Sequence, residues 1–158
     1  LIDKLGGQAM AAGLSLNNSQ FAEFSAAFNE EASRLLTEED LHSRILSDGE
    51  LSAEEISLDN ALMIHYATPW GQLFPEPIFD NEFLLVQQRI VGSKHLKLVL
   101  GIDDGGGHII DAIAFNVDTE KWPDETIKTV KVAYRLDVNR YRGRESVQLI
   151  IEHIEKVS

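Results

Sequence analysis

The stretch His95-Leu-Lys-Leu-Val-Leu-Gly-Ile102 decides the fold, read together with its neighbours Phe83-Leu-Leu-Val-Gln-Gln-Arg-Ile-Val91 and His108-Ile-Ile-Asp-Ala-Ile-Ala-Phe115. All three are short runs rich in Val, Ile, Leu and Phe, the residue types that suit a pleated, half-buried surface. Gly92-Ser93 separates the first pair and Asp103-Asp104-Gly-Gly-Gly107 the second, and both separators carry hairpin-turn chemistry. Working outward, the loop Asn116–Glu125 is followed by two more such runs, Ile127–Asp137 and Ser146–Ile154, joined through Asn139-Arg-Tyr-Arg-Gly143. Residues 43–48 are expected to add an early strand. Strands meandering in this way suit a small closed or partly closed barrel.

Upstream the texture is helical. Phe21, Phe24, Ala27, Phe28, Ala32, Leu35 and Leu36 recur at spacings of three and four, which predicts an amphipathic helix from Ser19 to about Leu36, capped by Asn18 or Ser19. Ser52-Ala-Glu-Glu55 has the capping-box form, and a helix over 53–66 is expected to follow it. Pro69, Pro75 and Pro77 make 68–77 an irregular connection. Residues 5–13 pair a glycine turn with a run of small side chains suited to tight packing or a short helix. The fold class is therefore α+β, mainly β, with a five-stranded barrel at the C-terminal end preceded by a short helical segment.

The chain has 158 residues, 44% of them hydrophobic, enough for one core and a small extra element. No apolar run approaches the ~20 residues of a membrane span, and no membrane contact is expected. There are no cysteines, which removes disulfides and thiolate metal sites and agrees with a reducing, cytoplasmic location. The chain opens at Leu1 directly into a Gly-Gly turn, as an excerpt of something longer would. Net charge is −12, but unevenly spread. Residues 1–81 carry 14 acids and three bases, whereas residues 82–158 carry 12 acids and 11 bases. A strongly basic nucleic-acid surface is excluded; a local basic face on the C-terminal half is not.

Three segments carry a family resemblance. Gly6-Gly7-Gln8-Ala9-Met10-Ala11-Ala12-Gly13 resembles the Gly-Gly-His-x-x-Ala-Ala-Gly signature that ends the DHHA1 domain of DHH-superfamily phosphoesterases. Pro69-Trp70-Gly71 followed by Pro75-Glu76-Pro77-x-Phe79 looks like the connection into the RecJ barrel. Gly92-x-x-His95-Leu96-Lys97, Asp111-Ala-Ile-Ala-Phe115-Asn116 and Leu136-Asp-Val-Asn139 stand where that barrel has them. The ordered set covers essentially the whole chain, although any one motif alone is weak.

The resemblance implies an OB-like barrel over residues 41–158. Residues 1–40 would be the C-terminal remnant of a DHHA1 domain with a connecting helix. It also implies a parent exonuclease that degrades single-stranded DNA from the 5′ end in repair and recombination, using Mg or Mn. Its partners would be single-stranded DNA, the remainder of the parent chain and single-strand-binding protein. The family's Asp-His-His motif does not occur here, so this chain is expected to hold no catalytic residue, no metal and no cofactor of its own. Gln8 stands where the family signature has histidine. An amide can still donate a hydrogen bond to a phosphate but cannot become cationic.

Residues at which the resemblance and the chemistry point to nucleic acid fall into three groups. Gly6, Gly7 and Gln8 form a backbone cradle for a phosphate, or else a turn packed within its own domain. Arg89, Lys94, His95 and Lys97 surround the first hairpin. Arg135, Asn139, Arg140, Tyr141, Arg142 and Arg144 gather around the last, where Tyr141 between Arg140 and Arg142 combines a stacking ring with backbone-following cations. Turns between strands are also charged simply because they are solvated. Asp103–Gly107 lacks the ending of a P-loop and the downstream Glu of an EF-hand, and reads as a hairpin tip. His42, His65, His95, His108 and His153 have no ligand-like spacing, and no nucleophile elbow occurs. Trp70, Phe74 and Phe79 read as aromatics locking an irregular loop to the core rather than as a stacking platform. The acids Glu38–Asp40, Glu50, Glu54, Glu55 and Asp59 read as a solvated face, or as a field repelling DNA from one side of the barrel.

Overall fold

Alternation of large apolar and polar side chains places the barrel wall, and a computed structural model shows how it closes. It describes residues 4–8, 11–37, 44–71, 73–102 and 107–157. The strands are β3 (Phe79–Val91), β4 (His95–Gly101), β5 (Ile109–Ala114), β6 (Thr129–Tyr141) and β7 (Arg144–Lys156), and they form a closed barrel in the order β3-β4-β5-β7-β6. β6 pairs back onto β3, from Phe79↔Tyr134 to Leu84↔Thr129, and this pairing completes the ring. All contacts are antiparallel except β5–β7, which is parallel with Asp111 beside Gln148. A parallel neighbour needs a long crossover, which residues 115–143 supply by carrying β6 between them.

The interior follows the pleat. Leu96, Leu98 and Leu100 of β4, Ala112 of β5, Val130, Val132 and Tyr134 of β6, Leu149 of β7 and Phe83 of β3 are buried. Each fully buried Leu or Phe contributes about 1.5–3 kcal/mol. Lys97, Val99, Asp111, Ile113, Arg135, Asp137 and Gln148 alternate with them toward the outside. Trp122, in the β5–β6 connection, is also buried, and Lys156 lies over its ring at 5.0 Å. Gln88 holds the same connection by donating to the Asp124 carbonyl (2.6 Å) and accepting from the Asp124 N–H (2.9 Å).

Bonds to Asp124 from Lys156 Nζ (2.7 Å), Thr126 Oγ1 (2.6 Å) and Thr126 N–H (3.1 Å) hold its carboxyl down at about 2, the Lys156 bond being the largest cause. A depressed folded-state pKa stabilises above the ordinary value of 3.8 and is lost as pH falls through about 2. Asp124→Asn is therefore expected to flatten the stability-versus-pH curve between about 4 and 2, measured by denaturant unfolding in steps through that window. An unchanged slope would show that Asp124 does not set it.

Two strand boundaries reach further than the hydrophobic runs suggest. β3 begins four residues before Phe83, and β6 continues through Asn139, Arg140 and Tyr141, so these three are strand residues rather than loop. The turn between β6 and β7 is only Arg142-Gly143, both at positive φ (50° and 76°), the two-residue form that matches strand twist.

The early strand over 43–48 is not formed in the part that is described: residues 44–50 are irregular. They lie beside the start of β3, where Asp48 N–H donates to the Ile78 carbonyl (2.7 Å), Ile78 N–H to the Asp48 carboxylate (3.1 Å), and Asp80 N–H to the Gly49 carbonyl (3.0 Å). β4 pairs only from Leu84 onward, so this segment satisfies the stretch of β3 that β4 leaves open. The capping box does form, with Ser52 N–H donating to Glu55 (2.8 Å) and Glu55 N–H to Ser52 Oγ (3.4 Å), but it closes a single turn. The helix starts later, as α2 (Leu58–Ala67), capped by Ser57 Oγ accepting from Asn60 N–H at 3.3 Å.

The chain divides into two compact units, residues 1–44 and 45–158. In the first, β1 (Lys4–Gln8) and β2 (Ala11–Ser15) form an antiparallel hairpin, correcting the short helix considered for this region. A 3-10 turn, Asn18–Gln20, is capped by Asn17 and leads into α1 (Phe21–Leu35). The cap is thus one residue earlier than Asn18. No residue of α1 is buried, and Phe21, Phe28 and Leu35 are exposed on its apolar face.

Candidate nucleic-acid interface

Barrel closure brings parts of the two hairpins onto one wall. Arg89 on β3 faces Lys97 on β4 directly, and Lys97 in turn faces Ile113 on β5. Two cations directly opposed across a strand pair are unfavourable by themselves. Asp111, one pleat along β5, relieves them, its carboxylate lying 3.6 Å from Lys97 Nζ. Arg89 has no ion-pair partner among the described residues.

These side chains line a surface cleft of about 640 Å³ together with Ala112, Ile113, Asn139, Tyr141, Arg144, Glu145, Ser146 and Gln148. A smaller hollow of about 240 Å³ shares Arg89, Lys97 and Asp111 and continues over Gln87, Leu98 and Val99. Three cations and two carboxylates thus line this groove with Ala112 and Ile113, together with the exposed Tyr141. Arg142 stacks on that ring with its guanidinium carbon 5.2 Å from the centroid. The arrangement supplies cations for a phosphodiester backbone, an aromatic face, and the short polar groups of Asn139, Ser146 and Gln148. Gln148 is already fixed, donating to Asp137 at 3.0 Å.

The remaining expected residues are placed differently. Lys94 and His95 sit at the far turn, where the His95 ring meets Phe115 edge-on at 5.2 Å and its Nδ1 accepts from Asn116 N–H. Arg135 bridges Glu76 (2.6 Å) and Glu152 (2.7 Å). Partial burial works against its charge, but these two bonds outweigh that and hold the guanidinium ionised beyond its ordinary range. Its geometry is that of a strut between β6, β7 and the proline-rich connection. Arg140 is bonded to Glu145 (2.8 Å) and to the Tyr66 hydroxyl (3.2 Å), and Glu145 is the larger cause of its raised pKa. Gly6 and Gly7 lie in the β1–β2 hairpin of the other unit; the Gln8 side chain and residues 103–106 lie outside the described residues.

Sequence reasoning did not place Asp111, Glu145, Ser146 and Gln148 at the site: Asp111 entered only within a family motif, and the other three stand on a strand not yet assigned a register. The aromatics near the prolines divide. Phe79 packs against the core and Trp70 donates to the Ile64 carbonyl (3.0 Å), but Phe74 stacks on Trp70 at 5.1 Å and remains exposed. Among the described residues, no group of three or more His, Asp or Glu side chains is placed to hold a metal ion, so the donor set does not fit one. No helix among them is long and apolar enough to cross a membrane.

Comparison with known proteins agrees with this architecture. Residues 47–153 match the family model described as the RecJ OB domain. The chain is 51% identical to the single-stranded-DNA-specific exonuclease RecJ of Dickeya dadantii over 98% of its own length and 27% of that protein. It is 48% identical to the RecJ of Escherichia coli, over 96% of this chain and 26% of that one. It therefore spans about a quarter of the length of these relatives. The crystal structure of RecJ from Thermus thermophilus in complex with Mg2+ superposes with a TM-score of 0.65 at 20% identity, covering 100% of this chain and 24% of that one; a Mn2+ complex matches equally well. With its closed barrel of OB strand order and a family match across most of its length, the chain belongs to the RecJ family and carries that family's OB domain.

Proposed function

We propose that this chain is the DNA-holding module of a RecJ-type exonuclease, guiding single-stranded DNA along the cleft between β3–β4 and the β6–β7 hairpin toward catalytic domains elsewhere in the parent chain. The observation that carries this reading is the cross-strand pair Arg89–Lys97 facing the same cleft as Arg144 and Tyr141. Asp111 pairs with Lys97 alone, which leaves Arg89 facing the cleft without an ion-pair partner among the described residues and open to an anionic ligand. The similar proteins are named as single-stranded-DNA-specific exonucleases, and the Thermus RecJ was solved with Mg2+ and with Mn2+. By extension the parent hydrolyses DNA 5′→3′ with a divalent metal, in repair and recombination in the cytoplasm. Residues 1–40 are its DHHA1 remnant, with Gly6, Gly7 and Gln8 at a phosphate. The exposed apolar face of α1 supports docking against the remainder of that chain.

The test is titration of this chain into labelled oligo-dT and matched duplex without metal. Selective single-strand binding is expected, weakening with salt at a log–log slope of about −2, the value for roughly three phosphates at about 0.7 each. Equal affinity for duplex, or no binding at low salt, would overturn the reading. A protein-docking role, with single-strand-binding protein as partner, is favoured by one feature only. Met63, Leu73 and Phe74 are exposed on and after α2, away from the cleft lining. Such docking would survive loss of the cleft cations.

A further inference from the structure

We infer that the strand path does not end at the barrel cleft but crosses the β6–β7 hairpin onto α2, where Tyr66 receives a base. This rests on the cleft reading above and adds a contact site on a different element. Tyr66 lies in the last turn of α2 and is 70% exposed, high for a residue that normally buries its ring. It is nevertheless held in place. Its hydroxyl accepts from Arg140 Nη2 at 3.2 Å, and the His65 ring meets it edge-on at 4.8 Å.

Arg140 is the joint in this geometry. It stands on β6 one residue before Tyr141, whose ring borders the cleft and carries Arg142 on its face. Arg140 and Tyr141 are consecutive on β6 and point to opposite faces, so the path rounds the hairpin, with Arg144 and Tyr141 on the cleft side and Arg140 and Tyr66 on the other, interleaving cations and rings. That interleaving is the chemistry of a single-strand track, in which cations follow phosphates and rings accept bases of any sequence. The hydroxyl bond and the edge contact with His65 fix Tyr66 while leaving most of it open to solvent. The ligand is therefore a nucleobase of single-stranded DNA, one step beyond those held in the cleft.

Tyr66→Ala is expected to weaken binding of an oligo-dT of about 12 nucleotides by roughly fivefold, the low end of a base–aromatic stack, while leaving an oligo of about five unchanged. Tyr66→Phe keeps the ring and is expected to bind within about twofold of the parent chain on both lengths. An unchanged affinity of Tyr66→Ala for the long oligo overturns the inference. So does an equal loss on both lengths, which would make Tyr66 a support for the hairpin; in either case the cleft reading stands. If the unaltered chain binds neither length, the cleft reading falls and the inference with it.

Discussion

Replacing Asp111 with Asn and Glu145 with Gln is expected to tighten single-stranded DNA binding about tenfold and to steepen its salt dependence. Both carboxylates line the cleft and both are paired with cations: Asp111 lies 3.6 Å from Lys97 in the cleft, and Glu145 2.8 Å from Arg140 outside its lining. A phosphate entering the cleft meets two like charges and must displace them from the groups it needs. At separations of about 6–8 Å and a near-aqueous dielectric, each repulsion is worth about 0.5–1 kcal/mol, so two amount to roughly tenfold in affinity. Freeing Lys97 and Arg140 also adds up to two phosphate contacts, which makes the log–log salt slope more negative by about 1.4. The pairs are exposed, and exposed pairs contribute about 0–1 kcal/mol, so the double variant keeps its fold. The measurement is affinity against salt for oligo-dT, oligo-dA and oligo-dC. A uniform gain supports the electrostatic account. A loss confined to one base would show instead that Asp111 accepts a hydrogen bond from that base. No change would place the DNA elsewhere.

The same carboxylates explain how a chain of net charge −12 fits a DNA-holding role. In the proposed role the strand must advance, and cations half-neutralised by their neighbours would hold it without fixing it. The charge asymmetry between the two halves of the sequence pointed to the half that carries the cleft cations, which all lie beyond residue 82. It did not point to the cleft, because composition carries no register.

What was legible in the sequence was local. The runs from Phe83, His95 and His108 announce themselves by residue type and by the turns between them, and each became a strand with a boundary shifted by a few residues at most. Arg142-Gly143 is a two-residue turn at positive φ, and the stretch Asn139–Gly143 looked like a longer loop because Asn139, Gly143 and the arginines dilute the strand signal of Tyr141. Residues 44–48 misled for the opposite reason. Ile45 and Leu46 have strand propensity, but both are exposed, and the segment only covers a short open edge of β3. Propensity gave way there to the number of edges a closed barrel offers. Likewise Ser52-x-x-Glu55 formed its reciprocal bonds and still did not start the helix, since Ser57 caps it five residues later. Arg89 and Lys97 meet across one local hairpin, but their meeting with Arg144 depends on long-range closure that no window of sequence contains.

Asn81→Leu is expected to be the most damaging single change outside the apolar core, lowering the stability of the barrel unit by about 3–5 kcal/mol. Asn81 is the one buried polar residue among the described residues. Its Oδ1 accepts from the Tyr134 hydroxyl (2.6 Å) and from Leu51 N–H (3.2 Å), and its Nδ2 donates to the Leu51 carbonyl (2.9 Å). Leucine has similar volume, so packing is nearly conserved while three groups lose their partner. Each orphaned group costs about 1–3 kcal/mol, less for Leu51, which water reaches. For a unit of this size the melting temperature should fall by about 10 °C or more, read by thermal unfolding. A fall below about 2 °C would mean the network does not anchor the segment. Tyr134→Phe separates the parts, because it removes one donor and leaves the Leu51 bonds intact, for an expected loss of about 1–2 kcal/mol.

The same variant has a pH signature. Burial first, and then the nearby carboxylates of Glu50, Asp80 and Glu55, push the Tyr134 hydroxyl above its ordinary value of 10.0. A raised folded-state pKa gives stability that is complete below about pH 10 and lost above it, as the unfolded chain ionises first. Tyr134→Phe should abolish that alkaline loss. Because Leu51 leads into the helix that bears Tyr66, loosening it also loosens the far end of the DNA path. Asn81→Leu is therefore expected to weaken the long oligo more than the short one at temperatures where the barrel remains folded. Tyr134→Phe, with Leu51 still tied, should bind both like the parent chain. If both variants bind alike, the anchor stabilises the barrel without positioning α2.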